Sequence, residues 1–204
     1  MNGKCVLSAA CCAFILTACS IGRPIPQPTT YVVDPAVVAT VPTLVRYPAT
    51  LRMGYVRVAA PFAGNALVYR LGDVRYASDA YNAFVVEPGA MLGNRIAEWL
   101  DTAGPFGTVV QPGSTRPAPY VLEATVVDLY GDFREGIPPA AVLAMQFTLI
   151  DQSVARPIVI YERTIARRVD LPKASPDALV RGYSRSLADI LSQVAPELAT
   201  HIEH

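Results

Sequence analysis

The sequence predicts an α/β domain: one mixed β-sheet with a βαβ crossover and a C-terminal helix packed on the sheet. Three observations lead there. Between 141 and 150, Leu143, Met145, Phe147 and Leu149 alternate with Ala144, Gln146 and Thr148, the period-two pattern of a strand with one buried face. From Pro88, Leu92, Ile96, Trp99 or Leu100, and Ala103 recur every three to four residues, as on one face of a helix. After Ser175, Leu179, Tyr183, Leu187, Ile190 or Leu191, Val194 and Leu198 trace a second helical stripe.

Three segments follow one another along the chain: residues 1–18, 19–29 and 30–204. The first has the layout of a secretory signal, with Lys4 as the positive start and an apolar run from Val6 to Leu16. That run is too short to span a bilayer core of about 30 Å. Leu16-Thr17-Ala18-Cys19 then resembles the bacterial lipobox, in which the cysteine is acylated and becomes the mature N-terminus. All four cysteines (Cys5, Cys11, Cys12 and Cys19) lie in this stretch. They therefore cannot staple the folded body, and Cys19 is expected to be the lipidation site. One acyl chain holds a membrane only marginally, whereas several together anchor firmly. Ser20 stands at the sorting position, where an Asp is the cue for inner-membrane retention, so the outer membrane facing the periplasm is expected. Pro24, Pro26 and Pro28 make residues 20–29 an extended linker.

The folded body opens with a short strand at Thr30–Asp34, followed by a Pro-broken connection over 35–49. "LRMGYVRVA", "ALVYRL", "VRYAS" and "YNAFVV" are β-rich runs, the last three separated by the turn signals Gly72-Asp73 and Ser78-Asp79. The helix from Pro88 stops at Gly104-Pro105, and with "FGTVV" it makes the crossover between parallel strands. Long strands at 120–130, 141–150 and 157–169 are joined by hairpins. Ser175 caps the final helix with Pro176 at its first position, and Pro196 is expected to kink or end its last turns.

Composition narrows the function. Lys+Arg and Asp+Glu are 17 each among 204 residues, so no net charge points to nucleic acid or another charged polymer. The hydrophobic share of 52% leaves room for an apolar contact surface. No Gly-x-Ser-x-Gly elbow or phosphate-binding loop occurs. His201 and His204 with Glu203 could hold a metal but sit at a C-terminal tail. Asp128, Asp132 and Glu135 could mimic an acid pair, although carboxylates at a hairpin mouth are usually solvated or turn-forming. Trp99 is expected to pack in the core. No catalytic residue, cofactor or metal is assigned, and the chain is not expected to be an enzyme.

Several stretches in order resemble the ABC-type transport auxiliary lipoproteins, the PqiC-like, MCE-associated outer-membrane family. They are Tyr31-Val32-Val33-Asp34-Pro35, Gly64 through Tyr69-Arg70, Tyr76 and Tyr81 before Phe84, Glu87-Pro88-Gly89-Ala90-Met91-Leu92, and Tyr120-Val121-Leu122. Two positions depart from the pattern: Phe84, where members often carry Trp, and Pro119, where they often carry Asp. The resemblance implies a non-catalytic lipoprotein that accompanies an MCE-type ABC lipid-transport system across the periplasm. Its expected partners are the periplasmic MCE protein and the membrane, with phospholipid and a second copy of the chain as further candidates. The competing reading is a structural or assembly lipoprotein for cell-wall synthesis or secretion.

Overall fold

The computed structural model describes residues 28–36 and 45–202. The expected signal segment at 1–18, Cys19 and Ser20 lie outside the described residues. The elements are β1 (Thr29–Tyr31), β2 (Tyr47–Val58), a 3-10 turn (Ala60–Phe62), β3 (Ala66–Arg70), β4 (Tyr76–Phe84) and α1 (Pro88–Ala103). They continue with β5 (Phe106–Val110), β6 (Tyr120–Asp132), β7 (Ala140–Asp151), β8 (Ile158–Asp170) and α2 (Pro176–Ala199). The strands form one mixed eight-stranded sheet, with both helices against it, in a single α/β domain.

β6 is the axis of that sheet. One edge pairs antiparallel with β7 along its whole length, from Tyr120↔Asp151 to Asp132↔Ala140. Its other edge is shared. The first half pairs parallel with β2 (Leu51↔Tyr120 to Val58↔Val126), and its end pairs parallel with β3 (Tyr69↔Gly131, Arg70↔Asp132). Beyond β2 lies β5, beyond β3 lie β4 and β1, and beyond β7 lies β8.

Residues facing one another across these pairs share a side of the sheet. Leu122, Val126, Leu143, Met145, Phe147 and Leu149 are completely buried beneath the helices. α1 sits on β2, where Gly89 and Gly93 meet Val56 and Val58. α2 sits on β7 and β8 and also touches α1, so both helices cover the same face and close one core. On the opposite face the rows Glu123–Thr148–Glu162 and Thr125–Gln146–Thr164 are polar.

Two expectations about connectivity change. The crossover through α1 exists, but the parallel partner of β5 is β2, not β4, which immediately precedes the helix. The β3–β4 hairpin is inserted between β2 and α1, and the small residues of α1 seat it over β2. The Ser78-Asp79 signal, in turn, marks no chain reversal: β4 runs unbroken from Tyr76 to Phe84. Between Val68↔Ser78 and Ala66↔Ala83 the β3–β4 register shifts. There the Asp79 carboxylate accepts the backbone N–H groups of Tyr81 (2.8 Å) and Asn82 (3.0 Å). Asp79 thus supplies local turn chemistry inside a strand that pairing with β1 carries onward.

The helix ends follow their sequence signals. α1 stops where the Gly104 N–H donates to the Leu100 carbonyl at 2.8 Å, just before Pro105. Ser175 Oγ accepts the Ala178 N–H at the start of α2. Pro196 lies inside α2 without ending it; the helix runs to Ala199, with Leu198 fully buried in the core.

Candidate functional site

Among the described residues, those singled out for chemistry do not assemble into a catalytic group. Asp132 is 1% exposed and gripped by two arginines. Arg134 reaches it in bidentate fashion, with Nε–Oδ1 and Nη2–Oδ2 both at 2.9 Å, and Arg168 Nη1 lies 2.6 Å from Oδ2. Hydrogen bonds from Arg134 hold its carboxyl well below the usual range; burial opposes this and Arg168 reinforces it. A carboxylate so held neither donates nor takes a proton near neutrality. Asp132 is therefore a buried clamp joining the ends of β6 and β8, rather than the solvated group expected of a hairpin mouth. Glu135 is exposed in the following loop and Asp128 is half-buried in β6.

His201 packs edge-on against Tyr161, with ring centroids 5.4 Å apart, and its Nδ1 bonds the Glu197 carbonyl at 2.8 Å. His204 and Glu203 lie outside the described residues. No group of His, Cys, Asp and Glu with metal-holding geometry occurs among the described residues. Trp99 is buried in the core at 2% exposure.

The short motifs converge on the β1–β3–β4 wing. Tyr31 donates to Asn82 Oδ1 at 2.9 Å, and Tyr69 donates to Asp79 Oδ2 at 2.6 Å. Burial disfavours the Asp79 carboxylate, but the Tyr69 hydroxyl and the Tyr81 and Asn82 donors outweigh it and keep its pKa below the usual value. Burial and the adjoining carboxylate raise that of Tyr69. Arg70 lies over the Tyr76 ring, which joins Phe62 and Tyr130 in an aromatic cluster. Phe84 is buried at 3% and lies 6.2 Å from Tyr183. Pro119 offers its carbonyl to the Gln152 N–H at 2.7 Å. These side chains knit the fold; they do not line a reaction site.

One groove open to a partner, of about 520 Å³, lies between β2 and the first turns of α1. Tyr55, Val56, Val58, Ala63, Ala90 and Pro112 make it mostly apolar, with Glu87 and Asn94 as its polar members. A bulge forms it. Between Met53↔Leu122 and Val56↔Ala124, Gly54 and Tyr55 together oppose Glu123 alone. The extra residue turns Tyr55 outward to 77% exposure. Sequence reasoning missed this groove; the one signal available was Gly54 inside a strand pattern.

The ABC-type transport auxiliary lipoprotein component family matches residues 31–195. The chain belongs to that family. Its architecture is similar to protein XCC0632 from Xanthomonas campestris, with TM-score 0.69 and 16% identity over 88% of this chain and 96% of that one. An uncharacterized protein of solved structure gives TM-score 0.65 and 21% identity over 84% and 99%. The hypothetical protein CT253 from Chlamydia trachomatis gives 0.55 and 10% over 76% and 99%. At these identities the likeness is one of fold. No curated protein matches the chain significantly.

Proposed function

We propose that this auxiliary transport lipoprotein is acylated at Cys19 and sorted, with Ser20 beside it, to the periplasmic face of the outer membrane. Its domain docks the periplasmic end of an MCE-type component of an ABC lipid transporter and catalyses nothing itself. The groove beside Tyr55 carries this reading. A mostly apolar lining with a few polar members suits docking to a folded partner or an apolar segment, whereas a wholly polar surface would suit the assembly-factor alternative. The clamped Asp132 and the fold-knitting tyrosines add to it, since each polar cluster described above is occupied with structural bonding.

A pull-down from cells of the same species tests the reading, using the chain and its Tyr55→Glu variant. The expected result is capture of an MCE-type protein that is lost in the variant. Capture should persist at high salt, because an apolar contact depends little on screened charges. Capture of a cell-wall synthase with no MCE-type protein would favour the assembly reading. Strong loss of MCE capture in high salt would keep the partner and move the contact elsewhere.

A further inference from the structure

We propose that the charged stripe of α2, with the adjoining segment at 31–34, docks onto the bilayer that tethers the chain. There it takes a phospholipid headgroup carrying a phosphate and a primary ammonium. The inference rests on the tether at Cys19 and adds a second contact with the same membrane.

Asp177, Arg181, Arg185 and Asp189 recur at intervals of four residues along α2 and all four are exposed. Each interval advances about 6 Å along a helix, so the four form a row of sign minus, plus, plus, minus. None of the four makes a hydrogen bond or an ion pair among the described residues, although neighbours in the row have the spacing at which helical ion pairs form. The charges are thus available to a ligand.

A groove runs beside the row. One part, about 550 Å³, lies between Tyr31, Val32 and Asp34 on one side and Arg181, Ser184 and Arg185 on the other. A second part, about 250 Å³, shares Asp34, Ser184 and Arg185 and extends to Asp189. The wall is fixed in place: the Asp34 N–H donates to Ser184 Oγ at 3.0 Å, and Ser184 Oγ donates to the Val180 carbonyl at 3.0 Å. Val32, 43% exposed, gives this wall an apolar side chain at its surface.

Chain length names the occupant. Cys19 and Pro28 are nine residue steps apart, a reach of at most about 30 Å, and the groove begins three residues later at Tyr31. A tether of that reach can set this face against the lipid surface. The charge pattern then selects the headgroup. Two adjacent guanidiniums suit a phosphate, and the flanking carboxylates, with Asp34 on the facing wall of both parts of the groove, suit an ammonium able to donate hydrogen bonds. A purely anionic headgroup would meet Asp177 and Asp189 with repulsion. A quaternary ammonium could not bond to them.

The test uses the full mature chain in nanodiscs, with a spin label at Val32→Cys and a nickel-chelating lipid as the relaxation probe. Thr164→Cys, on the polar face of the sheet opposite the helices, is the reference. In discs of dioleoylphosphatidylethanolamine mixed with enough phosphatidylcholine to keep the bilayer, relaxation should be strongly enhanced at position 32 and not at 164. The enhancement should be weaker in phosphatidylcholine or phosphatidylglycerol. Arg181→Gln and Arg185→Gln should each weaken the underlying contact by up to about fivefold, the upper factor for one exposed ion pair, with the fold checked by circular dichroism. Equal relaxation at 32 and 164, indifference to both arginine changes, or immobilisation of the label by a co-purified protein instead would overturn the proposal. Acylation is read separately by mass. Should Cys19 prove unacylated, phosphatidylethanolamine vesicles added to the same labelled chain must still give the signal at 32. Loss of the tether and loss of the headgroup contact are thereby distinguished.

Discussion

Gly182 of α2 lies so close to Ala141 of β7 that a Cβ built on the glycine would stand 2.5 Å from the alanine Cβ. The same atom would stand 2.8 Å from Leu171 Cδ2. The absence of a side chain lets the helix approach the sheet at the place where β6, β7 and the β8–α2 connection meet. Gly182→Ala should therefore destabilise the domain by about 1–3 kcal/mol, the range for overpacking. Alanine's helical preference offsets up to about 1 kcal/mol. Adding Ala141→Gly should recover part of the loss. Urea denaturation of both variants checks this; a Gly182→Ala chain as stable as the parent would show that the interface yields.

Leu187 is fully buried one turn further along α2. Leu187→Ala should cost on the order of 2–5 kcal/mol, as do other truncations of core leucines. A loss within roughly 0.5 kcal/mol, the range of ordinary surface positions, would contradict the packing of α2 on the sheet.

The Asp132 clamp makes stability depend on acid. Its carboxyl titrates lower in the folded chain than in the unfolded one, so the unfolded state takes up protons first as pH falls. The stabilisation is complete above the unfolded value of about 4 and is lost progressively below it. Asp132→Asn should lower stability near neutral pH by roughly 2 kcal/mol, the scale of hydrogen bonds to charged groups. It should also flatten the stability–pH curve below about pH 4. A parallel curve for parent and variant would show that Asp132 carries no linkage.

The tether is tested in cells. Cys19→Ala should leave a chain that no longer fractionates with outer membranes, and Ser20→Asp should shift it toward the inner membrane. Unchanged acylation and fractionation in the first variant, or an unchanged density profile in the second, would remove the corresponding role.

Much of the fold was legible because burial follows short periods. Leu143 to Leu149 alternate and end up buried, and the stripe from Leu179 to Leu198 became the buried face of α2. The Ser175 cap and the Gly104-Pro105 stop were legible because each acts within a few residues. The candidate site was not. Tyr55 appeared as one more strand aromatic; its outward turn follows from a bulge defined against β6. The sequence reading did not single out the stripe of Asp177, Arg181, Arg185 and Asp189, because its groove needs the wall that β1 and its continuation supply.

The sequence by itself determined both helices, the long strands from 120 to 169 and the family resemblance, since propensity, capping and periodicity are local properties of the chain. The tertiary structure alone decided that β5 pairs with β2, that Asp79 bends a strand without ending it, and that Asp132 meets Arg168 across 36 positions. Those outcomes depend on contacts between distant segments. Their free energy appears only once the chain has closed around one core, so no window of neighbouring residues contains it.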